Sequence, residues 1–447
     1  MAILYDAAVY DRTLSAGSYW ETTAVAEANY PALAQDETCE VAIIGGGITG
    51  LSAALHLARD YGIQARILEA GGLAWGASGR NGGFCCVGAA ALGGDRLLKK
   101  FGQSETRRYY QAQREGTELV KQLAAEEAIQ IDAQGDGEIE IAYGGDRWRG
   151  LVADYEFLTE IADYPCKLWL PKDLAEQVYS NPGACGALHI GVSFGLNPMK
   201  YTLGLASAAC QHGAVLHSHS PVEAWEKDGN WHLLHTPAGR LKAKTVIVAT
   251  NGYTEDRLHP QLGDRLLPLL SSIITTRPLT AAELEAQGWR TETPIHETHN
   301  VLFYYRLLKD GRLLFGSRGG TVGDRAENER RHRWMVQAFQ EKFPVWRDVE
   351  ITHSWNGLVC ASATLTPHLG RLTADESIFY GFAYHGSGVS TGTWSGRALA
   401  QLVTGRAQVR DLCAIFRQPL KKFPLPALRI WYLRATFTLA DLLKLSL

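Results

Sequence analysis

Four side chains stand where chemistry could be done beside bare backbone: Arg80 inside WGASGRNGG, His385 directly before the turn at Gly386 and Gly388, and Tyr304 and Arg306 in FYYR. An arginine in a glycine-rich turn can stabilise an anionic ring or hold an anionic substrate, and a histidine at a turn can accept a proton or orient a water. Strand alternation puts Tyr304 and Arg306 on one face and Phe303 and Tyr305 on the other, so the first pair could roof a substrate. The competing reading is an aromatic core pair with a snorkelling arginine. Such a set can align a ligand and keep it dry without supplying a nucleophile of its own. A conspicuous catalytic triad is not required.

The elements that would position these groups begin at CEVAIIGGGITGLSAALHLARDYGIQARILEA, Cys39 to Ala70. Val41 to Ile44 reads as a buried parallel strand, and Gly45, Gly47 and Gly50 match GxGxxG where a helix must start. Gly45 allows the tight turn, Gly47 leaves room for a pyrophosphate, and Gly50 lets the helix Leu51 to Tyr61 pack on the sheet. The helix N-terminus, with Ile48 in the turn before it, offers N–H groups and partial positive charge to the phosphates. A second strand, Gln64 to Leu68, ends in Glu69, whose carboxylate can accept from the ribose hydroxyls of an adenine dinucleotide, with Ala70 beside it.

The stretch after Glu69 separates a flavin from a nicotinamide. Gly72 to Gly88 has few bulky residues and holds Gly76, Gly79, Gly82 and Gly83 around Ser78, Arg80 and Asn81, so backbone must approach a large flat or charged object. An uninterrupted nicotinamide unit would continue into a plain helix here. Far away, GFAYHGSGVSTGTWSGRALAQLV gives a short strand, the turn Gly386–Gly388 followed by Val389, and a helix starting near Thr391. Its positive end would stabilise the negative charge that a reduced flavin carries near N1 and the C2 carbonyl.

At these residues the chain resembles the D-amino-acid oxidase superfamily of FAD amine oxidoreductases, which holds glycine oxidase and sarcosine oxidase. With SYW at Ser18 to Trp20 and FPLPALR at Phe423 to Arg429, it looks most like the gamma-glutamylputrescine oxidoreductase subgroup, over nearly the whole chain. The resemblance implies a mixed α/β fold, with a Rossmann-like FAD domain interleaved with a β-sheet substrate domain, and oxidation of a C–N bond to an imine. It implies that Val222 contacts the adenine through its backbone and that Ala249, Thr250 and Gly252 close the nucleotide pocket. Relatives of the sarcosine type attach flavin through a cysteine shortly before a TxD segment; here Cys360 stands one position off and Thr366 replaces the acid, which points to non-covalent FAD. Their oxygen-activating lysine corresponds to Leu314 and their carboxylate-gripping lysine to Gly388. Oxygen and a quinone-type acceptor both stay open, and small carboxylate substrates lose support.

The expected activity is therefore FAD-dependent oxidation of a gamma-glutamyl polyamine or similar extended amine. The alternatives are an imino-acid or D-amino-acid dehydrogenase or oxidase, a flavin-binding redox sensor without turnover, and a nicotinamide dehydrogenase. A chain of 447 residues with 46% apolar residues can bury a sizeable core in about two to four domains. A net charge of −3 with scattered basic residues leaves no footprint for nucleic acid. The N-terminus shows no secretory pattern, and Val41 to Ala58 fits the nucleotide unit better than a membrane span, so a cytoplasmic location is expected. The eight cysteines lack CxxC spacing, and His217–His219 and His296–His299 lack HExxH, so no metal is expected.

The expected segments are an N-terminal extension 1–38, an FAD domain from 39–95, 195–265 and 352–410, a substrate domain from 96–194 and 266–351, and a helical tail 411–447. Arg96 to Ala128 reads as helix and Arg325 to Phe343 as another. GEIEIAY, Gly137 to Tyr143, reads as a strand with a solvated acidic edge; Asp132, Asp136, Glu138 and Glu140 miss the calcium-loop positions. Phe423 to Leu447 reads as an amphipathic helix with Arg429, Arg434, Asp441 and Lys444 on its polar side, docked on the protein's own surface or, as the lesser alternative, on a membrane.

Overall fold

The computed structural model of the protein describes residues 4–24, 28–298 and 302–442. Its first sheet grows from the apolar run that ends β1 (Glu37–Ile44), where Val41 to Ile44 are all buried. β1 is followed by α1 (Ile48–Tyr61) and β2 (Arg66–Leu68), and it pairs in parallel with β2 on one side and with Arg240–Val248 on the other. The strand Ile378–Phe382 extends the sheet in parallel, and His368–Arg371 closes that edge antiparallel. Parallel strands covered on both faces need near-continuous apolar sequence, which AII, VIV and IFYGF supply.

One face of this sheet is covered by helices. α1 packs on Pro198–Gln211 and on Gly388–Val403. The approach of α1 to the last helix is backbone-close: a Cβ on Gly396 would lie 2.5 Å from that of Ser52, which only glycine tolerates. The long helix Gly94–Glu126 joins the same layer, with Trp394 Nε1 donating to Glu115 at 3.0 Å. It packs on both sides, since Tyr164 Oη donates to the Tyr110 carbonyl at 2.6 Å and the Tyr110 ring lies 5.2 Å from that of Phe157, whereas the order of segments along the sequence suggests the substrate domain alone.

The second sheet runs Ile351–Ser362, Leu266–Pro278, Arg312–Arg318, Phe303–Leu307, Ile295–Glu297, Glu138–Ala142, Gly186–Ile190, Cys166–Trp169. One face buries Tyr305, Phe315, Phe339, Phe343 and Trp346 in an aromatic core against the helix Arg325–Lys342. The alternation in FYYR holds: Phe303 and Tyr305 enter this core, while Tyr304 and Arg306 face the first domain. Ile351–Ser362 pairs along its length with Leu266–Pro278, so the chain re-enters the first sheet only at His368, later than the boundary at 352.

Two further expectations change. Glu138–Ala142 is an interior strand, paired with Ile295–Glu297 and Gly186–Ile190; Glu138 is only 4% exposed and meets Ser193 and Val87 instead of water, while Glu140 is half-buried. The tail helix starts at Arg429, which is buried between Asp256 and Asp264, while Ile430 packs with Tyr5 and Leu358. Lys444 and the side chain of Asp441 lie outside the described residues. Arg429→Met should cost about 2 kcal/mol in chemical denaturation, less than a fully buried pair because both aspartates reach water.

Candidate cofactor and active site

A cavity of about 210 Å³ runs from the turn between β1 and α1 to the turn before Gly388–Val403. At its first end stand Gly45, Gly47, Ile48, Glu69 and Ala70. Gly45 has φ +106°, and a Cβ there would lie 2.9 Å from the Ala249 carbonyl oxygen; one on Gly47 would lie 2.8 Å from Ser78 Oγ. Glycine is therefore required by the backbone at Gly45, whereas at Gly47 a Cβ would meet only the rotatable Ser78 hydroxyl and narrow the cavity. Gly50 does not line the cavity: its Cβ would fall 2.0 Å from the Gly45 oxygen, so it serves the close packing of helix on turn.

Glu69 lies beneath the turn, with Oε2 accepting from the Gly46 amide at 2.8 Å and Oε1 from the Gly71 amide at 2.9 Å. Burial pushes its carboxyl up, and these two amides pull it partly back. Val222 lines the cavity on one side, and Ala249, Thr250 and Gly252 on the other. The middle is walled by Ser78, whose Oγ accepts from the Ile48 amide at 3.0 Å, and by Asn81. Gly79 and Gly82 stand outside the lining; a Cβ on Gly79 would strike the Ala74 oxygen at 2.1 Å, and one on Gly82 the Tyr304 ring at 3.0 Å.

The far end is formed by Tyr384, His385, Gly386, Gly388 and Val389. The helix begins at Gly388, three residues before the expected start, so its N-terminus opens directly into the cavity. Tyr384, pushed up to about 12 by burial, sits with its hydroxyl 3.1 Å from Thr49 Oγ1 and ties the two helix N-termini together.

Three of the four candidate catalytic side chains stand away from the cavity, and the fourth has both ring nitrogens engaged. His385 lines it, but Nδ1 faces the Ala89 carbonyl at 3.0 Å and Nε2 the Ser362 amide at 3.2 Å. A carbonyl only accepts and an amide only donates, so the ring is the neutral Nδ1–H tautomer, and burial lowers its pKa further. It is placed to hold the turn, not to take a proton. Arg80 lies over the Trp75 ring at 4.3 Å and donates through Nε to the Trp75 oxygen and through Nη1 to the Asn356 oxygen at 3.4 Å. Arg306 is 1% exposed, not snorkelling; burial lowers it to about 9, and it donates to the Gly82 and Leu196 carbonyls. Tyr304 puts its hydroxyl 2.8 Å from Ser271 Oγ and its ring edge-on to Phe84, with burial raising it to about 12.

Trp75, Tyr253, Tyr384 and Arg12 also line the cavity, and sequence reasoning missed all four. Trp75 and Tyr384 lie inside the two glycine motifs, which is a signal that could have found them. Arg12, paired with Glu255 at 3.0 Å, arrives from the N-terminal segment and carries no local signal. Cys360 lines the cavity as a neutral thiol, pushed up to about 12 by burial. Among the described residues no three His, Cys, Asp or Glu side chains converge as a metal site, and His299 lies outside them. No described helix is long and apolar enough to cross a membrane.

A nucleotide cradle at one end and a helix N-terminus at the other, joined by one glycine-walled cavity, fit a two-ended flavin nucleotide. The family model described as DAO, FAD dependent oxidoreductase, matches residues 40–402. The chain belongs to the DAO family of FAD-dependent oxidoreductases. It is 30% identical over 424 residues to gamma-glutamylputrescine oxidoreductase of Escherichia coli K12, covering 94% of this chain and 95% of that protein. It is 23% identical over 390 residues to glycine oxidase of Bacillus subtilis, covering 85% and 96%. Among solved structures, glycine oxidase from Geobacillus kaustophilus superposes with a TM-score of 0.71 at 20% identity, over 86% of this chain and 98% of that one. The mixed α/β, two-sheet fold of these flavoenzymes is the one found here, and this family member binds FAD.

Proposed function

We propose that this enzyme oxidises the amine of an extended, cationic substrate of the gamma-glutamyl polyamine kind to an imine. The similarity to the Escherichia coli gamma-glutamylputrescine oxidoreductase along 94% of the chain supports this reading. The cavity from Glu69 to Gly388 would hold FAD, which would supply the hydride acceptor for the carbon beside the nitrogen. The chain's own residues bind and orient the amine, and keep water from the ring.

The observation that carries the reading is the acidic face of Glu138–Ala142, on which Glu138 is buried and Glu140 half-buried. Glu138 accepts from Ser193 Oγ at 2.8 Å and from the Val87 amide, and His296 Nε2 lies 3.6 Å from its other oxygen. The Val87 carbonyl in turn accepts from Ser387 Oγ at 2.9 Å, so one backbone segment separates this acid from the turn at Gly386 and Gly388. Glu140, opposite His296 in the strand register, has no ion pair among the described residues. Burial, with Asp154 adding, pushes its carboxyl up to about 7. A buried and a half-buried carboxylate side by side suit an ammonium group and repel a small carboxylate substrate. Leu314 and Gly388, where sarcosine-type relatives carry lysines, offer no cation to such a carboxylate; Leu314 is packed with Trp20 and Trp355. The neutral Cys360 thiol is a poor nucleophile, which supports FAD held without a covalent bond.

Anaerobic mixing with a panel of amines and amino acids tests the reading. Gamma-glutamyl amines should bleach the flavin, and admitting air then distinguishes oxygen from a quinone-type acceptor. Bleaching by D-amino acids or proline with none by amines would replace the substrate class, and no bleaching at all would favour a sensor. Ionised Glu140 attracts the substrate cation and protonated Glu140 does not, so kcat/KM should fall as pH drops through about 7. Glu140→Gln should raise KM about tenfold and remove that limb from the pH profile.

A further inference from the structure

The turn Arg80–Gly83 is gripped from outside in a way that neither its sequence nor its chemistry requires. Three successive carbonyls each accept from a buried side chain of a different segment. Trp355 Nε1 donates to the Arg80 oxygen at 2.7 Å, Trp20 Nε1 to the Asn81 oxygen at 2.9 Å, and Arg306 Nε to the Gly82 oxygen at 3.0 Å. The donors are 4%, 2% and 1% exposed. Trp355 and Arg306 come from two strands of the substrate sheet, and Trp20 from the N-terminal segment. Both indoles belong to one apolar cluster with Ala74 and Leu314, and the Arg306 guanidinium lies 5.6 Å from the Trp20 ring centre. None of the three can swing to another partner without opening that packing.

From inside, the Asn81 side chain closes the same turn, donating to the Ala77 and Ser78 carbonyls at 3.1 and 3.0 Å and accepting from the Gly83 amide at 2.8 Å. Ser78 and Asn81 then form the cavity wall. A segment with both sides fixed in this manner is pre-organised for whatever lies against it.

We propose that Trp20, Trp355 and Arg306 are positioning residues that set this turn, and through it the place of the FAD ring relative to the substrate sheet. The N-terminal segment is on this view part of the cofactor site. The proposal holds for any amine substrate, and its test needs none. In the FAD-loaded, full-length protein, Trp20→Phe and Trp355→Phe each delete an N–H donor and keep the aromatic packing. The FAD dissociation constant and the visible circular dichroism of the bound flavin are measured beside the melting temperature. Each single change should raise the dissociation constant about tenfold and alter the dichroism. The double change should raise it well under a hundredfold, because both donors hold one turn. Arg306→Lys should recover part of what Arg306→Met loses; if neither folds, the two Phe variants decide. Wild-type flavin affinity and dichroism in both Phe variants, with only the melting temperature lowered, would overturn the proposal and leave the three side chains as structural glue.

Discussion

Gly47→Val should give a folded protein that no longer retains FAD. Gly47 has φ −85° and ψ −179°, extended backbone that valine adopts without strain, so β1 and α1 should survive the change. The Cβ alone would stand 2.8 Å from Ser78 Oγ, and the two methyls would fill the path between the α1 N-terminus and Ser78 that a pyrophosphate must occupy. The FAD dissociation constant should rise about a thousandfold or more, roughly 4 kcal/mol, with denaturation within about 1 kcal/mol of wild type. Absorbance of the desalted protein reads the first quantity and a denaturant titration the second. Gly50→Val is the control with the opposite pattern: its Cβ would collide at 2.0 Å with the Gly45 backbone oxygen, so stability falls together with flavin content.

Glu69→Ala should weaken FAD binding about a hundredfold, the loss expected for two hydrogen bonds to a charged acceptor. The change also frees the Gly46 and Gly71 amides that the carboxylate holds, so part of the effect comes through the turn. The pH dependence has a definite sign. Burial raises the folded carboxyl above its unfolded value, so its contribution to apoprotein stability is full below the unfolded pKa and is lost as pH rises through the folded one. Ribose hydroxyls donate to the ionised form, so FAD affinity moves the other way and falls as pH drops through the raised value. Glu69→Gln should flatten both dependences, which calorimetric titrations of FAD across pH would show.

Legibility in the sequence depends on how local each signal is. The unit β1–turn–α1–β2 can be read because strand, glycines, helix and terminal acid occupy one stretch from Cys39 to Ala70, and each residue type answers a local steric or electrostatic need. The turn at Gly386–Gly388 can be read for the same reason, apart from the helix start. The alternation of Glu138, Ile139, Glu140 and Ile141 cannot decide its own environment, because acids on one face look the same whether that face meets water or another domain. The helix Gly94–Glu126 shows its apolar stripe but not which domain the stripe covers. The strand Ile351–Ser362 shows its propensity, but its partner Leu266–Pro278 is some eighty residues away, and pairing alone assigns its sheet. Arg80, Arg306 and His385 stand out in the sequence for what their side chains could do in isolation. Tertiary contacts give all three to backbone partners, and the polar groups that line the cavity are instead Glu69, Ser78, Asn81, Tyr253 and Tyr384.

The most direct measurement is a crystal structure of the FAD-loaded protein. The result expected is one flavin nucleotide along the cavity, with its ribose on Glu69, its pyrophosphate against Gly47 and the N-terminus of Gly388–Val403 facing the ring between the turn Arg80–Gly83 and the acidic strand. A ring bound away from Gly386 and Gly388, or an adenosine at the far end with the ring over Glu69, would contradict it.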